Sequence, residues 1–116
     1  MAAIKYTLLK TNIGHDVTFN FEESISLSGN SGPYLQYAYV RTQSVLKKAG
    51  NINLTNAKIS LNSEEISVLR LLSKFTEIAL ESSKRYSPNL LTSYLFELSQ
   101  AFNLFYQKHS ILEAKE

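Results

Sequence analysis

Residues 26–41 read SLSGNSGPYLQYAYVR, a polar, glycine-rich loop that leads directly into three closely spaced tyrosines. Asn30 or Ser31 can cap a helix here, and Pro33 falls in its first turn, where a missing N–H group costs nothing. The stretch therefore predicts that a helix begins near Pro33. We expect it to continue to about Lys48, because cations near a helix C-terminus favour the dipole and a glycine follows two positions later.

Upstream of this stretch the signals predict short elements. The spacing of apolar residues favours a helix over 2–11. Val17, Phe19 and Phe21 then alternate as a brief extended piece, and 22–27 is predicted to form one helical turn.

Downstream, residues 51–61 read NINLTNAKISL, a polar run with weak alternation that predicts a loop. Asn62 and Glu65 have the spacing of a capping box, and helical periodicity then continues to about Lys84. The pattern over 73–76 allows a kink in this helix.

The last predicted helix begins at Ser87-Pro88, which supplies a cap and a first helical position. Its apolar residues recur at alternating steps of four and three, as in a stripe that packs on another helix at a shallow angle: Leu91, Leu95, Leu98, Phe102 and Phe105. At 116 residues, the chain is predicted to be one all-α domain.

The sequence after this helix ends without a helix terminator. Ile111 and Leu112 are apolar there, and with Phe105 we expect them to form an exposed apolar strip that could self-associate. We therefore expect the chain to be a fragment whose last packing element is missing.

Charge is distributed unevenly, although the formal net charge is only +2. All ten acidic residues lie outside 24–63, whereas that segment contains four cations: Arg41, Lys47, Lys48 and Lys58. A local positive surface suits a polyanionic partner such as nucleic acid. Four cations in forty residues are equally compatible with chance.

Signatures of an enzyme are weak in this sequence. The absence of cysteine excludes disulfides and thiolate metal sites, and His15 and His109 are not spaced with carboxylates as metal ligands. SGNSG lacks the spacing of a phosphate-binding loop. No apolar run is long enough to cross a bilayer, and the N-terminus has no recognisable signal peptide. We predict no catalytic and no metal-binding residue.

The tyrosine helix is the strongest candidate for a functional surface. Tyr34, Tyr37 and Arg41 are separated by steps of three and four, so they share one helical face. Unpaired bases stack on such rings with about 1–3 kcal/mol per base, and a guanidinium group binds phosphate or a base edge. Buried tyrosines with satisfied hydroxyl groups would give the same spacing, so the pattern alone leaves both interpretations open.

Three segments together resemble a known family. GNSGPYLQYAYVR at 29–41 resembles the segment that opens the helical, DALR-type anticodon-binding domain of arginyl-tRNA synthetases, a class I family. EEISVLRLLSKF at 64–75 and SPNLLTSYLFELSQAFNLFYQKHSIL at 87–112 resemble the next helices of that domain. The resemblance implies an all-α bundle over 32–116, incomplete at its C-terminus, and a linking segment to the catalytic domain over 1–31.

The resemblance also implies a function. The longer protein would be a cytoplasmic arginine–tRNA ligase, which attaches arginine to its tRNA using ATP and Mg²⁺ in protein synthesis. This sequence lacks the two ATP-binding signatures of the family, so the chain alone is expected to be inactive and to hold no cofactor. Its expected partners are the anticodon loop of the arginine tRNA and the catalytic domain of the same protein, with no membrane.

Carried over onto this sequence, the resemblance implies an RNA-binding surface of eight residues: Ser28, Gly29, Asn30, Tyr34, Tyr37, Arg41, Asn103 and Tyr106. Tyr34 and Tyr37 would contact or stack on nucleotides, and Arg41 would meet RNA or brace that surface. Tyr39 is then expected in the core. A protein from another class remains as the alternative: a helical assembly domain without RNA binding, in which the tyrosines are core residues and the stripe over 91–105 packs on a partner helix.

Overall fold

The computed structural model describes residues 1–50 and 60–112, which form six helices and no strand. These helices are α1 (Ala2–Lys10), α2 (Phe21–Ser24), α3 (Gly32–Ala49), α4 (Ser63–Ser73), α5 (Phe75–Lys84) and α6 (Pro88–Lys108). The prediction of an all-α fold is confirmed. The predicted loop over 51–61 falls mostly outside the described residues, as does Lys58.

Capping side chains set where the helices begin. Ser31 is the cap of α3, because its Oγ accepts a hydrogen bond from the backbone N–H of Tyr34 at 3.2 Å. Asn62 and Glu65 form the predicted capping box of α4, with both of its hydrogen bonds at 2.8 Å. The boundaries predicted from these caps are therefore confirmed to within about two residues.

The helix predicted to run from Asn62 to Lys84 is divided at Lys74. The N–H of Lys74 bonds the carbonyl of Leu71 at 3.1 Å, a bond to the third preceding residue that tightens the chain locally. A new helix, α5, begins at Phe75 directly afterwards. The kink that the sequence allowed is thus a one-residue interruption at Lys74, whose own backbone stays in the right-handed helical region.

The extended segment predicted over Val17, Phe19 and Phe21 does not include Phe21, so the prediction is wrong at that residue. Phe21 is the first residue of α2, because the side chain of Asn20 accepts a hydrogen bond from the backbone N–H of Glu23 at 3.2 Å and caps the turn. The short alternation of apolar residues had suggested extended backbone here, but the asparagine cap determines the local structure.

Helix α6 is the common packing partner of α1, α3, α4 and α5. Tyr94 of α6 is almost fully buried, and its hydroxyl donates to the carbonyl of Leu71 in α4 at 2.9 Å. The hydroxyl oxygen of Tyr6 in α1 lies 3.2 Å from the carbonyl oxygen of Thr92 in α6. The stripe predicted on α6 faces these neighbours, and all five of its residues are half-buried: Leu91, Leu95, Leu98, Phe102 and Phe105.

The apolar strip expected near the end of the described chain is partly covered. Leu112 is 46% exposed, whereas Phe105 and Ile111 are half-buried. None of the three is fully buried, so their predicted tendency to self-associate remains a prediction.

Helix α3 lies close against α1 at Gly32. A Cβ atom on Gly32 would lie 2.6 Å from the carbonyl oxygen of Ala2 and 3.1 Å from Cβ of Tyr6. Only glycine permits this approach without moving the backbone. Because α1 packs on both α3 and α6, the segment before residue 32 shares the core of the bundle, and the domain boundary proposed at that point stays a prediction.

We expect Gly32→Ala to lower the free energy of unfolding by about 1–3 kcal/mol, because the new methyl group overlaps the backbone of Ala2. Urea denaturation followed by circular dichroism measures this change. Gly29→Ala is the matched control, since its Cβ would meet only the side chain of Ser26, at 3.3 Å from Oγ and 3.5 Å from Cβ. An equal loss for both variants would contradict the role given to Gly32.

A cluster of charged groups joins the beginning of α4 to the end of α6. Glu64 accepts from Lys108 Nζ at 2.6 Å, and its second carboxylate oxygen lies 3.2 Å from His109 Nε2. The hydrogen bond from Lys108, followed by those from Ser63 and His109, lowers the pKa of Glu64 from 4.5 to about 2. The carboxylate also lies in the first turn of α4, where the helix dipole favours negative charge.

The lowered pKa of Glu64 predicts how stability depends on pH. A carboxylate whose folded pKa lies below its unfolded pKa stabilises the fold fully above the unfolded value, and the contribution disappears as the pH falls through the folded value. We expect the free energy of unfolding to fall between pH 4.5 and about 2, and Glu64→Gln to flatten that fall. Glu97→Gln, which removes an exposed carboxylate of α6, is the matched control for the loss of one negative charge. Identical profiles for Glu64→Gln and the unmodified chain would exclude this explanation.

Candidate nucleic-acid interface

Tyr34 lies in the core rather than on the surface. Its side chain is 9% exposed, its ring meets Phe96 edge-on at 5.5 Å between centroids, and its hydroxyl accepts from Asn103 Nδ2 at 3.1 Å. The expectation that Tyr34 stacks on nucleotides therefore has no exposed ring face to support it. Tyr39, expected in the core, is 63% exposed. It lies five residues from Tyr34, about 140° around the helix, at the rim of a groove between α3 and α6.

Arg41 is held between two aromatic rings from different helices. Its guanidinium carbon lies 4.3 Å from the ring centroid of Tyr37 on α3 and 4.8 Å from that of Tyr106 on α6. Nη1 donates to Asn103 Oδ1 at 3.0 Å, and Nη2 donates to the hydroxyl of Tyr37. We call these four residues, Tyr37, Arg41, Asn103 and Tyr106, the arginine clamp. Cation–π attraction and charge-assisted hydrogen bonds together fix the guanidinium group.

The arginine clamp keeps binding capacity on the surface. A guanidinium group has five N–H donors, and three of those of Arg41 have no partner among residues 1–50 and 60–112. Tyr37 is 39% exposed and Tyr106 is 38% exposed. The clamp therefore presents a cation and two partly open rings, the combination that binds phosphates and unpaired bases.

The loop before α3 has a defined conformation. Ser26 Oγ accepts hydrogen bonds from the backbone N–H groups of Ser28 at 3.2 Å and Gly29 at 3.1 Å, and Ser31 Oγ donates to the carbonyl of Ser26. Ser28 is exposed and Gly29 is half-buried. The polar edge of this loop is thus set by its own serines.

Helix α1 anchors the same loop at Asn30. Tyr6 donates from its hydroxyl to Asn30 Oδ1 at 2.5 Å, and Lys10 Nζ donates to the carbonyl of Asn30 at 3.1 Å. The sequence did not predict that Lys10 places a cation beside this loop, because only the packing of α1 against α3 brings it there. Asn30 itself remains exposed.

The eight predicted site residues form two groups along α3. Ser28, Gly29 and Asn30 precede the first turn, whereas Arg41 lies ten residues beyond Ser31, about 15 Å along the helix axis. The structure brings Asn103 and Tyr106 to Arg41, and it places Tyr34 beneath them in the core. No acidic residue occurs between 24 and 50, so neither α3 nor the loop before it places a carboxylate beside these two groups.

A cavity of about 300 Å³ opens beside the ring of Tyr106, and α3 and α6 both contribute to its lining: Ser44, Val45, Lys48, Tyr106 and His109 are among its residues. Ser44 and Lys48 extend the face of Arg41 by one and two further turns. The sequence indicated only the positive charge of Lys48, whereas the structure places Lys48 in the lining of the same cavity as Tyr106.

The described part of the chain contains no set of metal ligands: no group of three or more histidine, aspartate or glutamate residues lies close enough to share an ion. None of the described helices has the length and apolar character required to span a membrane.

Tyr34 and Tyr37 should respond differently to truncation. We expect Tyr34→Ala to lower the free energy of unfolding by about 3–5 kcal/mol, because it empties a core position. Tyr37→Ala should cost about 1 kcal/mol, since the ring is partly exposed and contributes mainly a cation–π contact. Urea denaturation of both variants measures the two losses of stability. Equal losses would contradict the difference in burial between Tyr34 and Tyr37.

The chain is similar in sequence and in fold to known proteins of one family. Arginine–tRNA ligases of Prochlorococcus marinus and Borrelia hermsii are 42% and 38% identical to the chain, over 100% and 97% of its length. The arginyl-tRNA synthetase of Thermus thermophilus has the same fold over 99% of the chain, with a TM-score of 0.89 and 30% identity. The chain spans about a fifth of the length of each of these relatives. Residues 35–116 match the family model described as the DALR anticodon binding domain, and the chain belongs to that family.

Proposed function

We propose that this chain binds the anticodon loop of an arginine-accepting tRNA, as one domain of a longer arginine–tRNA ligase. The observation that carries the proposal is the arginine clamp, which holds a cation with free donors between two partly exposed tyrosines. Anticodon loops offer unstacked bases and closely spaced phosphates, the two groups that such a surface binds. Membership of the DALR family and the names of its long relatives support the same assignment.

The clamp and the loop before α3 would have different tasks. Arg41 donates to a phosphate or to the edge of a base, while Tyr37 and Tyr106 offer ring surface for stacking. Ser28, Gly29 and Asn30 contribute polar groups about one and a half nanometres away, within reach of a neighbouring part of the same RNA arm. Tyr34 acts from the core rather than by direct contact.

The chemistry of aminoacylation belongs to the rest of the proposed ligase. ATP and Mg²⁺, which the family resemblance implies, would be bound outside this chain, whose described residues contain no suitable set of metal ligands. The catalytic domain of the same protein is the proposed protein partner, and the cytoplasm is the proposed compartment.

An assembly role is the second candidate, and one observation favours it. An apolar groove runs between α3 and α6, lined by Leu35, Ala38, Tyr39, Leu95, Leu98 and Phe102 among others. Tyr39 lies about 160° around α3 from Arg41, whereas Ala38 lies about 60° from it, so the groove reaches the edge of the clamp. A protein partner bound at Tyr39 and RNA bound at Arg41 would lie on different sides of α3.

Arg41→Ala should weaken binding to an RNA hairpin that carries the anticodon loop of an arginine tRNA by about tenfold or more, since contacts of this kind contribute roughly 1–3 kcal/mol. Fluorescence anisotropy at several salt concentrations measures the effect. If Arg41 meets a phosphate, the slope of log affinity against log salt should also decrease by about 0.7. An unchanged slope with weaker binding would indicate a base contact instead.

Arg70→Ala provides the matched control, because Arg70 is an exposed arginine of α4, a helix that contributes nothing to the clamp. Its affinity for the same hairpin should stay within about twofold of the unmodified chain. The proposed function fails if Arg41→Ala binds the hairpin as tightly as Arg70→Ala.

A further inference from the structure

We infer that Asn103 is a positioning residue, anchored by the hydroxyl of Tyr34, that fixes the plane of the Arg41 guanidinium for RNA binding. This inference rests on the proposed function and assigns Asn103 and Tyr34 a role that requires no contact with RNA. Its basis is a line of two hydrogen bonds from the core to the surface. Tyr34 accepts from Asn103 Nδ2 at 3.1 Å, and Asn103 Oδ1 accepts from Arg41 Nη1 at 3.0 Å.

Burial makes Asn103 unsuited to direct contact with a ligand. Its side chain is only 7% exposed, and both ends of its amide already have partners. Tyr34 is similarly enclosed, with its ring against Phe96. Of the three residues in this line, only Arg41 reaches the surface, so an influence of Asn103 on RNA must pass through Arg41.

The chemistry of the three side chains permits one orientation of the amide. Arginine only donates hydrogen bonds, so the amide oxygen of Asn103 must face Arg41. The amide nitrogen then faces Tyr34, whose hydroxyl accepts from it. A flipped amide would place donors against the guanidinium group and leave buried polar atoms unsatisfied. Arg41 thus selects the orientation of the amide, and the hydrogen bond to the buried hydroxyl of Tyr34 holds the amide in place.

Two anchors on one guanidinium group hold its plane. Asn103 binds Nη1 and Tyr37 binds Nη2, and the carbon between them lies over the rings of Tyr37 and Tyr106. The remaining donors keep a constant direction, so RNA does not have to order a flexible side chain when it binds. Tyr37 alone is a weaker anchor, because it is itself 39% exposed.

The test compares two buried tyrosines that lose the same atom. Tyr34→Phe removes the hydroxyl that anchors Asn103, whereas Tyr94→Phe removes a buried hydroxyl that bonds the carbonyl of Leu71 in α4. With the anticodon-loop hairpin as probe, we expect Tyr34→Phe to weaken binding about five- to tenfold, the equivalent of one hydrogen bond. Tyr94→Phe should stay within about twofold, although both variants lose stability.

A double-mutant cycle shows whether the effect passes through Arg41. In the background of Arg41→Ala, Tyr34→Phe should cause no further loss of affinity, because the group that it positions is gone. A second variant, Asn103→Leu, should behave in the same way and replaces Tyr34→Phe if that protein does not fold. A loss that persists in the Arg41→Ala background would overturn the inference and indicate general damage to the fold.

The guanidinium group can also be observed without RNA. Nitrogen-15 NMR should show separate Nη–H resonances for Arg41 in the unmodified chain, because two anchors slow rotation of the group, and averaged resonances in Tyr34→Phe. Asn103→Asp should keep the separate resonances, since a carboxylate accepts from Arg41 and from the Tyr34 hydroxyl. Averaged resonances already present in the unmodified chain would refute the positioning role.

The two proposals fail differently. If Arg41→Ala leaves affinity for the hairpin unchanged, the proposed function is wrong, while the NMR comparison still decides whether Asn103 positions the guanidinium group. If Arg41→Ala weakens binding but Tyr34→Phe and Asn103→Leu do not, the function stands and the positioning role is refuted.

Discussion

The packing of α6 against four other helices is the constraint on which the rest of the structure depends. One face of α6 carries the half-buried stripe, and the same helix provides Asn103 and Tyr106 to the arginine clamp. The arginine clamp is therefore built on two packed helices rather than on a loop. Its geometry changes only if the contact between α3 and α6 changes, so stability and the arrangement of the clamp are properties of the same contact.

Caps made the helix boundaries predictable, whereas burial along α3 could not be read from the sequence. Ser31 and Asn62 act locally, and local signals determine where a helix begins. Which side of α3 meets α6 depends on residues far away in the chain: Arg41 and Asn103 are 62 positions apart. The sequence correctly predicted that Tyr34, Tyr37 and Arg41 share one helical face, but it did not predict how far each side chain is buried. Tyr39, which was expected in the core, is 63% exposed.

The arginine clamp gives a physical reason for the absence of acidic residues between 24 and 50. Elsewhere in the described structure, Lys108 and Arg85 pair with the carboxylates of Glu64 and Glu81. Arg41 is instead held by an amide and two phenol groups, which are neutral. Neutral partners fix a cation without cancelling its charge, and a cation with its charge intact is what a polyanion requires.

The partners that hold Arg41, an amide and two phenol groups, carry no negative charge. A surface built in this way presents the charge of the guanidinium group to the surroundings rather than to a carboxylate within the protein. Dissolved ions are then its main competitors, so a change in ionic strength alters its grip on a nucleic acid directly. The choice of neutral partners for Arg41 thus makes recognition sensitive to the salt concentration.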